Sequence, residues 1–503
     1  FFLFFIGLNL LGYSQEKYTL SGSIFEAEGQ ETLIGANILI LDLKTGTISN
    51  EYGFYSITLN EGTYEVTIST IGYSTIRETI ILDRNISRNF TLTDSVEALD
   101  EIVIETDIET IDIKTPQMSV NSLTASTIKQ IPVVFGEADV IKAITLLPGV
   151  SSGGEGAAGF NVRGGAVDQN LILLDEATIF NSSHLFGLFS VFNPDAIKNL
   201  KLYKGGIPAK YGGRVASVLD IYQKEGNKNK FQANGGVGIV ASRLLLEGPL
   251  NKGSGSFLLG GRATYAHLFL PLFDIDNIAY FYDLNTKISY KLNPKNNIYL
   301  SGYFGRDVFS ISDSFENTYG NTVVNFRWNH LFSEQLFSNL SLIYSDYYYG
   351  LNLNFVGFEW NSGIQNMNIK YDFKQYINDR YKLEYGLHST YYSFNPGVIS
   401  PNGPDSGINR KALTNKFAFE NAVYIDVNQQ LTERLALSYG VRLSSFLRLG
   451  QDQLNVYEND KAVGFNSDLQ LYEKIDPIGS ESGSQGKVEK SFMNLEPRLA
   501  LSY

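Results

Sequence analysis

The sequence predicts a mainly β protein in three successive parts: an N-terminal β-sandwich, an α/β domain, and then a partial transmembrane antiparallel β-barrel. Three observations carry this. Period-two alternation of apolar and polar residues dominates from Tyr18 onward, helical spacing is concentrated in a stretch after Gly136, and the alternating segments beyond Phe231 often exceed ten residues. Soluble strands average only ~5–6 residues. Composition agrees, because 33 Phe, 31 Tyr and 47 Gly against 2 Trp favour strands and tight turns over helical bundles. At 503 residues and 43% hydrophobic content the chain is folded and long enough for several domains.

Phe1 to Gly12 (FFLFFIGLNLLG) is too short to span a bilayer as a helix and runs straight into the polar Tyr13-Ser14-Gln15-Glu16-Lys17. Residues 1–14 are read as the remains of a signal peptide; a buried N-terminal strand or helix is the alternative. With no initiator Met or basic segment ahead of the run, the sequence is expected to start inside its reading frame.

Residues 15–94 hold short alternating segments, Thr19 to Ile24, Ala36 to Leu43, Tyr52 to Leu59, Thr63 to Gly72 and Ile76 to Leu82, separated by turn residues. In Tyr64-Glu65-Val66-Thr67-Ile68-Ser69 the apolar side chains share one face, as a half-buried strand requires. About seven such strands make a compact sandwich.

The stretch Asp94 to Gln130 is more polar, apart from Leu99-Asp100-Glu101-Ile102-Val103-Ile104-Glu105-Thr106, and residues 95–115 read as a connector carrying one strand-forming peptide. Residues 116–225 form the α/β domain. Val140, Ile141, Ile144 and Leu147 recur at helical spacing until Pro148-Gly149, strands follow at Phe160 to Arg163 and Leu171 to Leu174, and Asn193-Pro194-Asp195 predicts a second helix start. Residues 226–503 then give about eleven long alternating segments, such as Ile369 to Lys374 and Leu435 to Ser444, with aromatic clusters such as Tyr347-Tyr348-Tyr349 and Tyr391-Tyr392 near their ends. An apolar face to lipid, a polar face to the lumen and aromatic girdles are what a transmembrane barrel needs. Plugged transporter barrels use about 22 strands, and an open edge in lipid leaves backbone groups unsatisfied. The chain is therefore expected to be truncated at its C-terminus as well, inside the run Leu499 to Tyr503.

Little in the chain points to catalysis. The absence of Cys removes disulfides and thiolate chemistry, and His184, His267, His330 and His388 lack ligand spacing, so packing or surface roles are their default. A net charge of −13 argues against nucleic acid. Gly154 to Gly159 matches GxGxxG, but it follows a helix and leads into a strand, the reverse of a dinucleotide site. Gly149 to Gly153 matches GxSxG in the same wrong order. No enzyme activity, metal or cofactor is expected.

Val162-Arg163-Gly164-Gly165, Asp168-Gln169-Asn170 running to Asp175, His184-Leu185-Phe186-Gly187, Phe192 to Ile197, Tyr203-Lys204-Gly205-Gly206 and Tyr211-Gly212-Gly213-Arg214 together resemble the plug of TonB-dependent outer-membrane receptors of the Bacteroidetes type. Glu176 departs from the pattern, since many relatives have Gly after the Asp. Ile34-Gly35-Ala36-Asn37 and Asn50 to Tyr55 resemble the carboxypeptidase-regulatory-like extension that such receptors often carry, which is not a peptidase. Glu101, Ile102, Val103, Ile104, Glu105 and Thr106 resemble the TonB box, and an exposed alternating peptide suits strand addition to a partner. A plain first strand of the plug is the alternative reading.

The resemblance implies an importer of a scarce or large nutrient in the cell outer membrane, such as a ferric siderophore or an oligosaccharide. It is pulled by TonB and its inner-membrane energising complex, with a surface lipoprotein lid left open as a further partner. It also implies a plug–barrel latch in which Arg163 and Arg214 meet barrel carboxylates. Rival readings are an adhesion protein anchored by its barrel and a secreted enzyme with a carbohydrate-binding sandwich. The second should show a catalytic constellation, and none is present in the sequence.

Overall fold

The computed structural model describes residues 16–95, 119–131, 137–154, 159–273, 277–312, 314–404, 406–432, 435–451, 453–482 and 486–503. The apolar run at residues 1–14 and the peptide Leu99 to Thr106 lie outside them.

The first part is a sandwich of two four-stranded sheets. One pairs Lys17–Glu26 with Phe54–Asn60 and adds the short Ile86–Ser87 and Phe90–Leu92 in parallel. The other runs in the order Thr45–Ile48, Asn37–Ile40, Gly62–Ser69, Ile76–Leu82. Tyr64, Val66 and Ile68 turn inward while Glu65 faces water, and they close one core with Leu20, Ile24, Ile38, Ile40 and Ile57. Apolar burial on this scale drives the two sheets together.

In the α/β domain a five-stranded sheet runs in the order Ala177–Thr178, Asn170–Leu174, Ser217–Gln223, Ile197–Tyr203, Val120–Thr124. Only the pairing of Asn170–Leu174 with Ser217–Gln223 is parallel. Helix Val140–Thr145 is capped by Asp139, whose side chain accepts from Lys142 N at 2.9 Å, and buries Val140, Ile141 and Ile144.

Two expectations need correcting. Val120–Thr124 and the helix Ala125–Gln130 fall within the more polar stretch Asp94 to Gln130, where the sequence pattern picked out no element beyond the peptide Leu99 to Thr106. The strand lies at the sheet edge, half-exposed along most of its length, so its sequence lacks an apolar face. Asn193 begins a turn and not a helix: its side chain accepts from Asp195 N at 3.0 Å, its carbonyl from Ala196 N at 3.0 Å, and the strand starts at Ile197. The same side-chain chemistry serves helix caps and Asx turns, which is why sequence did not separate them.

The third part is a thirteen-stranded sheet. Eleven of its strands are ten residues or longer. Every pairing in it is antiparallel. Along Phe315–Ser333 the residues buried against the interior are Asn317, Tyr319, Asn321, Val323, Asn325, Arg327 and Asn329, while Val324 and Phe326 point outward and exposed. Leu300, Leu342, Ile369, Leu387, Val423, Ile425 and Leu443 extend this exposed apolar band across the sheet. Polar inside and apolar outside is the inverse of a water-soluble sandwich and fits a wall facing lipid.

One rim carries tight turns, where Asn293 pairs with Asn296 and Ser333 with Leu336. The other carries the longer connections, including residues 453–482 with their two small ribbons. The α/β domain sits against the concave face, and Tyr303, Val323 and Ile343 of the wall join its apolar core.

Candidate functional site

The site is the polar seam between the α/β domain and the wall. Ser183–His184 pairs with Phe189–Ser190, and the intervening Leu185 and Phe186 take positive φ (46° and 54°) ahead of Gly187. That turn aims two backbone N–H groups at the wall: Leu185 N donates to Asp307 Oδ1 at 2.8 Å and Phe186 N to the Tyr319 hydroxyl at 3.0 Å. His184 Nδ1 lies 2.6 Å from Asp307 Oδ2, and Nε2 lies 3.3 Å from Asp283 Oδ2 and 3.2 Å from the Tyr303 hydroxyl. Its ring stacks on Phe281 at 4.1 Å. Arg262 donates through Nε to the same Asp283 oxygen at 2.9 Å and through Nη2 to the carbonyl of Ser190 at 2.9 Å.

Burial alone would push the His184 imidazole down, but the Asp307 carboxylate and the hydrogen bonds to Asp283 and Asp307 outweigh it and raise it above the ordinary histidine value. A packing or surface role was the default for this residue. It is instead a buried ionic link between domain and wall, only 1% exposed.

A second cluster forms at the tight turn after Leu174. Asp175 pairs with Lys287 Nζ of the wall at 2.8 Å and accepts from Gln223 N at 3.0 Å, while Lys287 also donates to the carbonyl of Gln223 at 2.9 Å. Glu176 stands at φ +73°, in the left-handed region that glycine adopts without strain. Its carboxylate accepts from Asn339 Nδ2 and Ser341 Oγ, both at 2.9 Å, and from the hydroxyl of Tyr52 in the sandwich at 2.6 Å. Lys370 Nζ follows at 3.4 Å and Arg327 Nη1 at 3.9 Å. Burial would raise this acid, yet Lys370 and then Arg327 overcome it and hold it at about 2. The departure from glycine thus places an anion where two wall cations and a sandwich residue converge.

The third cluster is at the glycine turns. Tyr211 donates to Asp220 Oδ2 at 2.6 Å. A Cβ on Gly212 would meet Arg442 Nε at 2.5 Å, and Gly213 has φ +77°. Arg442 of the wall is fully buried and donates through Nη1 to the carbonyls of Ala209 and Lys210, each at 3.2 Å. Arg498 donates to the carbonyls of Ile207 at 3.0 Å and Tyr211 at 3.1 Å. Gly164 has φ +80°, and a Cβ on Gly165 would meet that of Ala216 at 2.6 Å. Asn170 Nδ2 donates to the carbonyl of Phe160 at 2.7 Å, and Asp168 lies exposed in a 3-10 turn.

Arg163 donates to Ser119 Oγ at 2.7 Å and Arg214 to the Gly213 carbonyl at 2.8 Å; both are exposed. Among the described residues neither forms an ion pair with a wall carboxylate. The guanidinium groups that bridge here belong to the wall, where lumen-facing Arg262, Arg442 and Arg498 find acids and carbonyls. Alternating strands gave these arginines no distinguishing pattern in sequence. Among the described residues no group of three or more His, Cys, Asp or Glu is placed to hold a metal ion.

Residues 20–104 match the family model described as CarboxypepD_reg-like domain, and residues 112–218 match the TonB-dependent Receptor Plug Domain. The chain is similar to the TonB-dependent receptor SusC of Bacteroides thetaiotaomicron, with 27% identity over 231 residues, covering 42% of this chain and 22% of that receptor. Solved structures that share the fold include the siderophore receptor PirA from Acinetobacter baumannii (TM-score 0.53, 14% identity, 76% of this chain and 68% of that one). The alcaligin outer membrane receptor FauA from Bordetella pertussis is another (TM-score 0.53, 14% identity, 78% and 60%). The chain therefore spans a minor part of SusC and about two thirds of these solved chains. The α/β domain is a plug, and the sheet it packs against shares the fold of part of the barrel wall in those receptors.

Proposed function

We propose that this chain, a TonB-dependent receptor by its N-terminal and plug domains, imports a scarce or large nutrient across the outer membrane by energy-coupled displacement of its plug. The observation that supports it best is the chemistry of the seam. Beside the apolar contacts of Tyr303, Val323 and Ile343, the plug meets the wall through discrete ion pairs and hydrogen bonds: His184 to Asp307, Asp175 to Lys287, Glu176 to Lys370, Arg442 to the Ala209 carbonyl. Polar contacts can be exchanged for water one by one as a plug shifts, and each is worth only about 0.5–3 kcal/mol net. A purely apolar seam would have to expose its whole area together.

In this reading Glu101 to Thr106 docks as an added strand on TonB, which draws on its inner-membrane complex, and the latch is the set of seam contacts above. Arg163 and Arg214 hold the glycine turns beside them. The long connection at residues 453–482, with Phe465 and Tyr472 exposed and 5.1 Å apart, offers contact surface for ligand at the exterior rim. Ferric siderophores and oligosaccharides are the substrate classes to separate.

The test is energy-dependent uptake of ferric chelates and labelled oligosaccharides in cells carrying the native protein or Ile102→Pro. Proline cannot donate the ladder hydrogen bond that strand addition uses. Loss of uptake of one ligand class with the proline is expected. Unchanged uptake would remove the box assignment and with it the pulled-plug mechanism.

A further inference from the structure

The N-terminal sandwich is keyed into the barrel mouth. Its turn Asn50–Gly53 is fixed internally, since Asn50 Oδ1 accepts from Tyr52 N at 2.9 Å and Phe54 N at 3.0 Å while Gly53 N donates to the Asn50 carbonyl at 3.0 Å. The turn carries Glu51 and Tyr52 between plug and wall. Glu51 pairs with Lys210 of the plug at 2.8 Å and with Lys374 of the wall, which also meets Glu384 at 3.2 Å. The Tyr52 hydroxyl donates to Glu176 of the plug at 2.6 Å, and its ring lies between Phe337, with centroids 5.2 Å apart, and the Arg327 guanidinium, 5.0 Å away. Phe54 packs on Phe337 and Tyr376, and Gln335 at a tight-turn end donates to Thr58 Oγ1 at 2.8 Å.

A second contact lies at the other edge of the sandwich. Glu31 accepts from Glu225 N at 2.9 Å and pairs with Lys198 at 3.3 Å, and Thr32 donates to Glu225 Oε1 at 2.7 Å.

Buried charges at such a three-way junction are costly to separate, because withdrawing one partner leaves the others desolvated and unpaired. Movement of the plug takes Lys210 and Glu176 away from Glu51 and Tyr52, and the sandwich is meanwhile held by Lys374, Phe337 and Gln335 of a wall that stays still.

We propose that the N-terminal sandwich is an interlock on the plug: docked at the tight-turn rim, it holds the plug through Glu51 and Tyr52 and must undock before the plug can leave the lumen. This rests on reading the α/β domain as a displaceable plug, but its test requires no transport. The receptor is purified from outer membranes in detergent, and amide hydrogen exchange is followed in the plug strands Asn170–Leu174 and Ser217–Gln223. Glu51→Gln with Tyr52→Phe should speed exchange there by about tenfold or more, the scale set by losing charge-assisted hydrogen bonds.

The chain has no Cys, so Thr58→Cys with Gln335→Cys gives a unique pair for a short bis-methanethiosulfonate cross-linker. Bridging them in the weakened background should return plug exchange toward the native rate, and reductant should release it again. Native plug exchange in the doubly substituted protein, with the sandwich strands Lys17–Glu26 and Phe54–Asn60 still protected, would make the sandwich a passenger and overturn the proposal. Fast plug exchange that the cross-link fails to slow would overturn it too, by reducing Glu51 and Tyr52 to local stabilisers. A negative uptake result with Ile102→Pro leaves both readouts unaffected, so the two readings fail separately.

Discussion

His184 Nδ1 and Asp307 Oδ2 are 2.6 Å apart across the boundary between plug and wall, joined by residues 123 positions distant in the chain. Asp283 faces the other ring nitrogen at 3.3 Å, so the imidazole sits between two carboxylates with Tyr303 beside it. Both acids favour the imidazolium, and the seated plug therefore binds this proton more tightly than a released plug would.

The sign of the pH dependence follows. A raised histidine pKa contributes its full stability below the free value of about 6.5, and that contribution fades as pH rises through the higher seated value. Plug opening, measured by hydrogen exchange in Ser183–His184 and Phe189–Ser190 after correction for intrinsic rates, should become easier as pH rises above about 6.5. His184→Asn should flatten the profile. A native profile as flat as that of the variant would remove His184 from the seat.

Asp175 and Lys287 form a pair in which both side chains are 2% exposed. Asp175→Asn leaves the lysine buried without its counter-charge and should destabilise the seated plug by about 3–5 kcal/mol. Adding Lys287→Met should recover most of the loss, because a buried pair replaced by apolar volume is often neutral. Urea titration of plug exchange in the single and double variants measures the coupling.

Glu176→Gly removes backbone strain worth about 1–3 kcal/mol at φ +73°. It also removes the acceptor for Tyr52, Asn339 and Ser341, each a bond to a charged group worth about 1.5–3 kcal/mol. The second effect is larger, so the variant should be less stable despite its better turn. Limited proteolysis should release the sandwich faster from Glu176→Gly than from the native protein, and equal rates would refute the assigned role.

Gly212→Ala drives a methyl group to 2.5 Å from Arg442 Nε. The guanidinium must shift and loosen its bonds to the carbonyls of Ala209 and Lys210, at a cost of about 1–3 kcal/mol typical of overpacking. Gly479→Ala, where a Cβ meets nothing within 4 Å, is the matched control and should be neutral. Thermal unfolding of both variants decides the comparison.

Much of this architecture is legible in the chain itself. Alternation is local, so the long strands from Ala241 onward and the half-buried Gly62–Ser69 could be read from neighbouring residues. The glycine turns at Gly164-Gly165 and Gly212-Gly213 were legible through their resemblance to plug motifs, and the structure supplies the reason for glycine there, since positive φ or close approach admits few side chains. Short and half-exposed pieces were not: Val120–Thr124 gains its strand character from pairing with Ile197–Tyr203, a partner far along the chain.

The sequence by itself determined the β-rich class and the apolar face of the long strands, because backbone propensity and side-chain periodicity act over a few residues, and it carried the motif loops that resemble a plug. The tertiary structure alone decided which charges meet. His184 finds Asp307, Glu176 finds Tyr52 and Lys370, and Gln335 reaches Thr58 across separations of 123, 124, 194 and 277 residues. Such pairs are set by how a rigid plug and a docked sandwich seat inside a curved wall, and a lumen-facing lysine or arginine looks the same in sequence whether or not an acid lies opposite it.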